Sequence, residues 1–261
     1  MDFHGQDRWR RLRPLLGAWL IRDVRARYRQ SVLDIGWSFI TPAVTLAAYG
    51  IVFTGAFGVD GDGVPYLSFA WCGLVAWTFF ASGVIAGTTS LVVAADIVRK
   101  VAFPREVVPL AASLANGLDL AMGLIVLAAL MIAQGVGFSI TALAAVAPIA
   151  LLGLWTTALA ILLGTATAFV RDLAHGVGIV VRVGIMVTPV MYPPSDVPER
   201  FQWVVTANPV AVAITALRDT LLYHDWPDWS LLSVHAVVGS VLLGFALVYV
   251  RQVEGNMADV I

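Results

Sequence analysis

The sequence predicts an all-α polytopic membrane protein. It has six transmembrane helices, an N-terminal amphipathic interface helix, re-entrant helices between spans five and six, and both termini cytoplasmic. Three observations carry this. The chain is 59% hydrophobic and 13% charged over 261 residues, where soluble domains run at about 45–50% and 25%. Six apolar stretches approach the roughly 20 residues that cross a bilayer. The basic residues also segregate. Eight arginines precede the first stretch; Arg99, Lys100 and Arg105 follow the second, Arg171 the fourth and Arg251 the sixth, while only Arg200 and Arg218 fall on the opposite side. Lysine and arginine mark the cytoplasmic side, which places both ends of the chain there.

The elements follow in order. Over 8–30, Trp9, Leu12, Leu16, Trp19, Val24 and Tyr28 recur at helical steps, with Arg8, Arg11, Arg22, Arg25 and Arg29 mostly on the other side. This is an amphipathic helix with a basic face, suited to lying among anionic headgroups and broken or started at Pro14. No small-residue cleavage site follows its short apolar run, so it does not read as a removed signal. The spans cover about 37–57, 67–93, 107–133, 141–170, 177–191 and 231–250. The fourth is overlong, with Pro148 as its kink or start. The acidic loop 59–65, without lysine or arginine, is then external.

Two connections depart from plain loops. The stretch 96–109 interrupts two apolar spans with Asp96, Arg99, Lys100, Arg105 and Glu106 around Phe103-Pro104. An exposed aromatic on a proline-fixed turn suits a knob for a partner's groove; the plain alternative is an orientation signal. The segment 192–229 is punctuated by Pro193, Pro194, Pro198 and Pro209, after Pro189, yet it contains apolar runs too short to cross. Asn208-Pro209 reads as an N-cap followed by proline at the first helical position. Two short helices dipping back from outside fit, sheltered at the mouth of a pathway. An ordinary external loop is the alternative.

Several chemistries are excluded. No Gly-x-x-x-x-Gly-Lys-Ser/Thr surrounds Lys100, the only lysine, so ATP is not bound in that way. No serine elbow or His-Glu-x-x-His occurs. One cysteine, Cys72, and four scattered histidines offer no metal site. No cofactor, metal or nucleic acid is expected for this chain.

The polar residues inside spans are few. Asp119 lies near the middle of the third span, where an acid is costly and marks a proton relay or a structural hydrogen bond, with Asn116 one turn before it as a partner. Arg182 in the fifth span could snorkel, pair with Asp119, or line an inner vestibule. Asp60-Gly-Asp62 suits a tight turn or the acids of a glycosyltransferase. Most of the nine tryptophans fall at span ends, as an interfacial belt requires. Aromatic faces also stack on sugars, and Trp37, Trp71, Trp77, Tyr192 and Trp203 are the pathway candidates.

The ordered motifs resemble the transmembrane subunit of ABC-2 type exporters, in the branch that exports O-antigen and related lipid-linked glycans. They begin with Arg22-Asp23-Val24-Arg25-Ala26-Arg27-Tyr28-Arg29-Gln30-Ser31-Val32-Leu33, then Gly36-Trp37 and Pro42. Val101-Ala102-Phe103-Pro104-Arg105-Glu106-Val107 with Pro109 comes next. Arg171-Asp172-Leu173, Thr188-Pro189-Val190-Met191-Tyr192-Pro193, Asn208-Pro209 with Arg218, and the ending Glu254-Gly255-Asn256-Met257-Ala258-Asp259-Val260-Ile261 complete the set. The chain departs from the family at Leu33-Asp34-Ile35-Gly36-Trp37, where Leu-Gly commonly precedes the tryptophan, and at Thr188, where serine is frequent.

The resemblance implies a homodimer in the bacterial inner membrane, bound to two copies of a separate ABC ATPase that carries the ATP and magnesium. This chain is then no enzyme. It divides into an interface helix (1–32), a transmembrane domain (33–254) and a tail (255–261). The loop 95–106 matches the coupling element, with Arg99, Lys100, Phe103, Pro104, Arg105 and Glu106 facing the ATPase. The segment 193–222 matches external gate helices, with Pro189, Pro193, Asn208, Pro209 and Arg218 at the gate. Arg25, Arg27 and Arg29 are candidates to meet the diphosphate of a polyprenyl-linked polysaccharide. Permeases for teichoic acid, capsule or hydrophobic drugs are the near alternatives; a proton-coupled carrier or a membrane glycosyltransferase are the distant ones.

Overall fold

The computed structural model describes residues 5–28, 44, 63–101 and 103–260, with side chains from Pro14 to Arg25 and as far as Met257. The stretch expected as the first span, with Trp37, lies outside the described residues. So do Arg29, Asp60 and Asp62, and the side chain of Arg27.

Every long element is helical. α1 (Gly5–Tyr28) runs through Pro14 without ending there, so the proline neither breaks nor starts it. α2 (Tyr66–Val93) leads into the short α3 (Ala95–Lys100). α4 (Val107–Leu114) and α5 (Gly117–Ala133) form one apolar rod with a break. A 3₁₀ turn (Ile140–Ala145) feeds α6 (Val146–Phe169), with Pro148 in the first turn of α6, where its missing N–H costs nothing. α7 (Leu173–Val187) follows, then α8 (Gln202–Ala207), α9 (Pro209–Arg218) and α10 (Trp229–Val260).

Four helical stretches are long and apolar enough to cross a membrane: Tyr66–Val93, Val107–Ala133, Ile140–Phe169 and Trp229–Met257. The chain is a multi-pass membrane protein. α7 is different. Its 15 residues rise about 22 Å, short of a hydrocarbon core of about 30 Å. It starts at Leu173, four residues before the expected span, and stops at Val187 because Pro189 cannot continue the ladder.

α2 is the central helix, packed on α4, α5, α6, α7 and α9, and α10 lies at the edge against α6. In an apolar solvent helices associate by close packing rather than by escape from water. α2 and α6 achieve it with small residues at four-residue spacing. Gly83 sits under Thr156 and Gly87 under Ala160, while Gly164 sits under the Gly87 carbonyl, each too close for an added Cβ.

The break in the third rod has a local cause. Asn116 donates its side-chain amide to the carbonyls of Ala112 (2.9 Å) and Ser113 (3.2 Å), and its own backbone N–H also turns to Ser113. The expected pairing of Asn116 with Asp119 is therefore corrected. Asp119 instead lies in the first turn of α5, where the exposed N–H groups of a helix start favour an acid. That is a structural reason for a carboxylate at this depth.

Candidate functional site

Three surfaces bear on function: a basic end around α3, an opposite end capped by α8 and α9, and a groove along α7.

At the basic end, α3 carries Asp96 in its first turn and Arg99 and Lys100 in its last, matching its dipole. Asp96, Ile97, Arg99, Lys100 and Val101 are exposed. The residues after them are not. Phe103 is 7% exposed, Arg105 7% and Glu106 2%, and Pro104 is buried too. The expectation of an exposed aromatic knob is thereby corrected. Phe103 points inward, with its ring 5.7 Å from the ring of Trp19 on α1, in a cluster with Val98, Val107, Ala246, Val250 and Met257. Proline fixes the turn but not the face it presents. Eighty-four residues upstream, the Trp19 stripe covers that face.

Arg105 bends back to donate from Nη1 to the carbonyl of Val98 in α3. Its burial lowers the guanidinium pKa, an effect opposed by Glu254 at the end of α10. Glu106 accepts an ion pair from Nε of Arg251 at 4.0 Å. On α1, Arg22 lies over the Trp19 ring at 3.6 Å and pairs with Asp23 at 2.7 Å, and Arg25 is exposed.

At the opposite end, Asn208 caps α9. Its Oδ1 accepts from the N–H groups of Val210 (3.0 Å) and Ala211 (3.3 Å), with Pro209 at the first helical position, and its Nδ2 donates to Oγ1 of Thr188 at 2.9 Å. α9 buries Arg218 to 1% exposure. The guanidinium donates to three carbonyls: Phe69 on α2 (3.3 Å), Pro189 (2.8 Å) and Val190 (2.5 Å). It also lies 3.6 Å over the Phe69 ring. Gly73 lets this happen, since a Cβ there would collide with Arg218 and the Val190 carbonyl. Tyr66 reinforces the joint by donating to Met191 O at 3.1 Å. The gate expectation named Arg218, Pro189, Asn208 and Pro209, and the structure brings them to one place; Pro193 lies four residues further on, ahead of the Pro194–Asp196 turn.

Beyond α9, a π turn (Asp219–Tyr223) ends at left-handed His224, whose ring meets Gly137 O at 2.8 Å. Burial, then nearby Asp225, pushes the Asp219 carboxyl up to about 6, with Arg218 opposing.

The third surface is a groove of about 970 Å³ between α2, α6 and α7, with Trp77, Phe80, Trp155, Val180 and Gly184 among its walls and Thr188 and Asn208 as its few polar groups. Of α7 only Val181 is buried. Arg182 is exposed and, among the described residues, has no ion pair, so the suggested link to Asp119 is corrected.

The aromatic pathway candidates separate. Trp71 is 3% exposed and donates to Gly123 O at 2.9 Å, tying α2 to α5; it is a packing residue rather than a wall of a path. Trp77 is buried from outside yet borders the groove. Tyr192 donates to the carbonyls of Met186 (3.1 Å) and Val187 (3.3 Å), closing the end of α7. Trp203 is 67% exposed. Reading the sequence did not single out Trp155 or Gly184, and it named Arg251 and Glu254 only for charge placement and the family-like ending, not as site residues. Of these only the last pair left a signal, an arginine and a glutamate three apart on one helical face. No group of three potential metal ligands lies among the described residues.

Comparison with known proteins now adds identity to geometry. The family model described as ABC-2 type transporter matches residues 14–222. An O-antigen export system permease protein RfbA of Klebsiella pneumoniae is 28% identical over 243 residues, 92% of each chain. A protein of the same name from Myxococcus xanthus is 28% identical over 240 residues, 88% of this chain and 89% of that one. The family comprises membrane permeases without an ATPase domain of their own, which implies an ATPase partner. A polytopic helical bundle, with its basic end and the match over most of its length, belongs to the ABC-2 type transporter family.

Proposed function

We propose that two copies of this chain form a path that carries a polyprenyl-diphosphate-linked polysaccharide of O-antigen type across the bacterial inner membrane, driven by ATP hydrolysis with magnesium on two copies of a separate cytoplasmic ATPase. The observation that carries this reading is the likeness to O-antigen export permeases over about nine-tenths of both chains. In this reading the chain crosses six times with both termini in the cytoplasm, α3 meets the ATPase, and α8 and α9 dip back at the external mouth.

The path runs between the copies, chiefly along spans one, two and five. α7 supports that placement. A lipid-facing arginine in mid-helix costs about 2.5–3.5 kcal/mol, so the exposed Arg182 is better placed beside an aqueous path. The diphosphate enters past Arg25, Arg27 and Arg29, where cations complement its charge. ATP binding on the partner shifts the bundle between two conformations by preferring one of them at α3.

A hydrophobic small molecule is the second reading for the cargo, favoured by the nearly all-apolar groove beside α7. Teichoic acid and capsule polymers fit the same machine. The discriminating experiment reconstitutes the permease with its co-purified ATPase in nanodiscs. ATP hydrolysis that rises with a lipid-linked glycan and not with a hydrophobic drug supports the reading, and the reverse result replaces it. Transport by the permease alone, without any ATPase, would overturn both.

A further inference from the structure

We propose that Arg105 and Glu106 do not touch the ATPase but brace α3 to the end of α10, making the segment 251–257 a working part of the coupling unit. This rests on the reading that α3 receives the ATPase. It redistributes the roles within the loop.

Burial argues first. A residue that binds a partner must present surface to it. Asp96, Ile97, Arg99, Lys100 and Val101 do, whereas Phe103, Arg105 and Glu106 keep 7%, 7% and 2% of theirs. Connectivity argues second. One loop residue reaches α10 directly, and its neighbour feels a charge one turn further along that helix. Glu106 pairs with Arg251 at 4.0 Å, and Glu254 acts electrostatically on Arg105. Arg105 also holds the Val98 carbonyl, so Arg105 ties the loop to α3 and Glu106 ties it to α10.

Packing argues third. Ala246, Val250 and Met257 are fully buried in the cluster that holds Phe103 and Trp19. A displacement of α3 therefore reaches the edge helix α10 directly, not only α2 and α4, to which the chain ties it. Charged contacts suit this position. Their partners change at lower cost than those of a close-packed joint, and the end of α10 is half open to water, with Arg251 43% exposed.

The test is charge exchange in the full complex. Glu106→Arg, Arg251→Glu and the double variant are made in the permease co-expressed with its ATPase. Glycan transported per ATP hydrolysed is measured at equal membrane level. The brace requires each single variant to fall about fivefold or more, the double variant to recover most of that loss, and the ATPase to co-purify throughout. Arg251→Gln, which removes the pair at a partly exposed site, provides a milder variant should the reversals fail to assemble; it must lower the same ratio. If Glu106→Arg releases the ATPase and Arg251→Glu does not restore it, Glu106 contacts the partner and the brace is wrong, while the coupling role of the loop stands. If the ratio is unchanged in all variants, the brace is wrong as well. The α3 reading is tested apart, by Arg99→Glu with Lys100→Glu: retained ATPase association would remove α3 from the interface and leave the exchange result to be judged alone.

Discussion

The two ends of the molecule each bury an arginine, and they treat it differently. Arg218 is 1% exposed, meets three backbone carbonyls from two separate stretches, and lies over an aromatic ring. Among the described residues Arg218 forms no ion pair; carbonyl dipoles and the Phe69 face offset its charge. Arg105 is 7% exposed, meets one carbonyl, is favoured electrostatically by Glu254, and leaves its Nε without a hydrogen-bond partner among the described residues. The Phe69 carbonyl belongs to α2 and those of Pro189 and Val190 to the turn after α7; backbone positions are set by the chain path, while carboxylates sit on flexible stems. The far end is thus built as a bolt and the basic end as a joint.

The comparison can be broken most sharply at the bolt. Arg218→Met should orphan carbonyls of Phe69, Pro189 and Val190, at about 1–3 kcal/mol for each buried group left unpaired. The expected outcome is a large fall in Tm of the purified permease in detergent. Arg218→Lys should recover only part of it, because an ammonium lacks the planar fork. A Tm within 2 °C of the parent (about 0.5–1 kcal/mol for a chain of this size) would show that the bolt carries no weight.

At the joint, Phe103→Ala removes a buried ring from the Trp19 contact. A core phenylalanine truncated to alanine costs about 3–5 kcal/mol, and this site, at the edge of the bundle, should fall at the low end. Limited proteolysis checks it: α1 should be released from the bundle before the membrane helices are cut. Were Phe103 instead an external knob, α1 would keep its protection and only ATPase association would suffer.

The smallest effect sharpens the far end. The Asp219 carboxyl titrates near 6 in the folded protein against an ordinary value of 3.8. A raised carboxylate pKa means that the fold prefers the neutral acid. Stability is then greatest below about pH 4 and falls as pH rises through 6. A modest decline in Tm across that window, abolished by Asp219→Asn, is the expected result. A Tm that rises with pH would reverse the sign and place Asp219 in a charged pair.

Much of the bundle was legible from local chemistry. Apolar length located α2, the broken third rod, α6 and α10, because crossing a bilayer demands a continuous self-satisfied helix. Asn208-Pro209 announced a helix start because the cap and the fixed φ act within four residues. Pro189 ends α7 at Val187 by the same kind of local effect, although the expected span ran on to 191. Two differences were of extent, the uninterrupted α1 at Pro14 and the shorter, earlier α7; the others were of direction. Phe103 read as exposed, Trp71 as a wall of a path, Asn116 as the partner of Asp119 and Arg182 as a possible partner too. Each side chain's type was plain, and its neighbour was not.

The sequence by itself determined that this is a helical membrane protein with a basic end, where its long apolar helices lie, and the family it belongs to, because hydrophobic length, capping and charge placement act over short stretches of chain. Only the tertiary structure decided which charged and aromatic residues face inward. Arg218 finds Phe69 across 149 positions, and Arg251 finds Glu106 from the far end of the chain. No local preference encodes such meetings; they follow from how close two helices can approach, and small residues such as Gly73 and Gly87 set that distance.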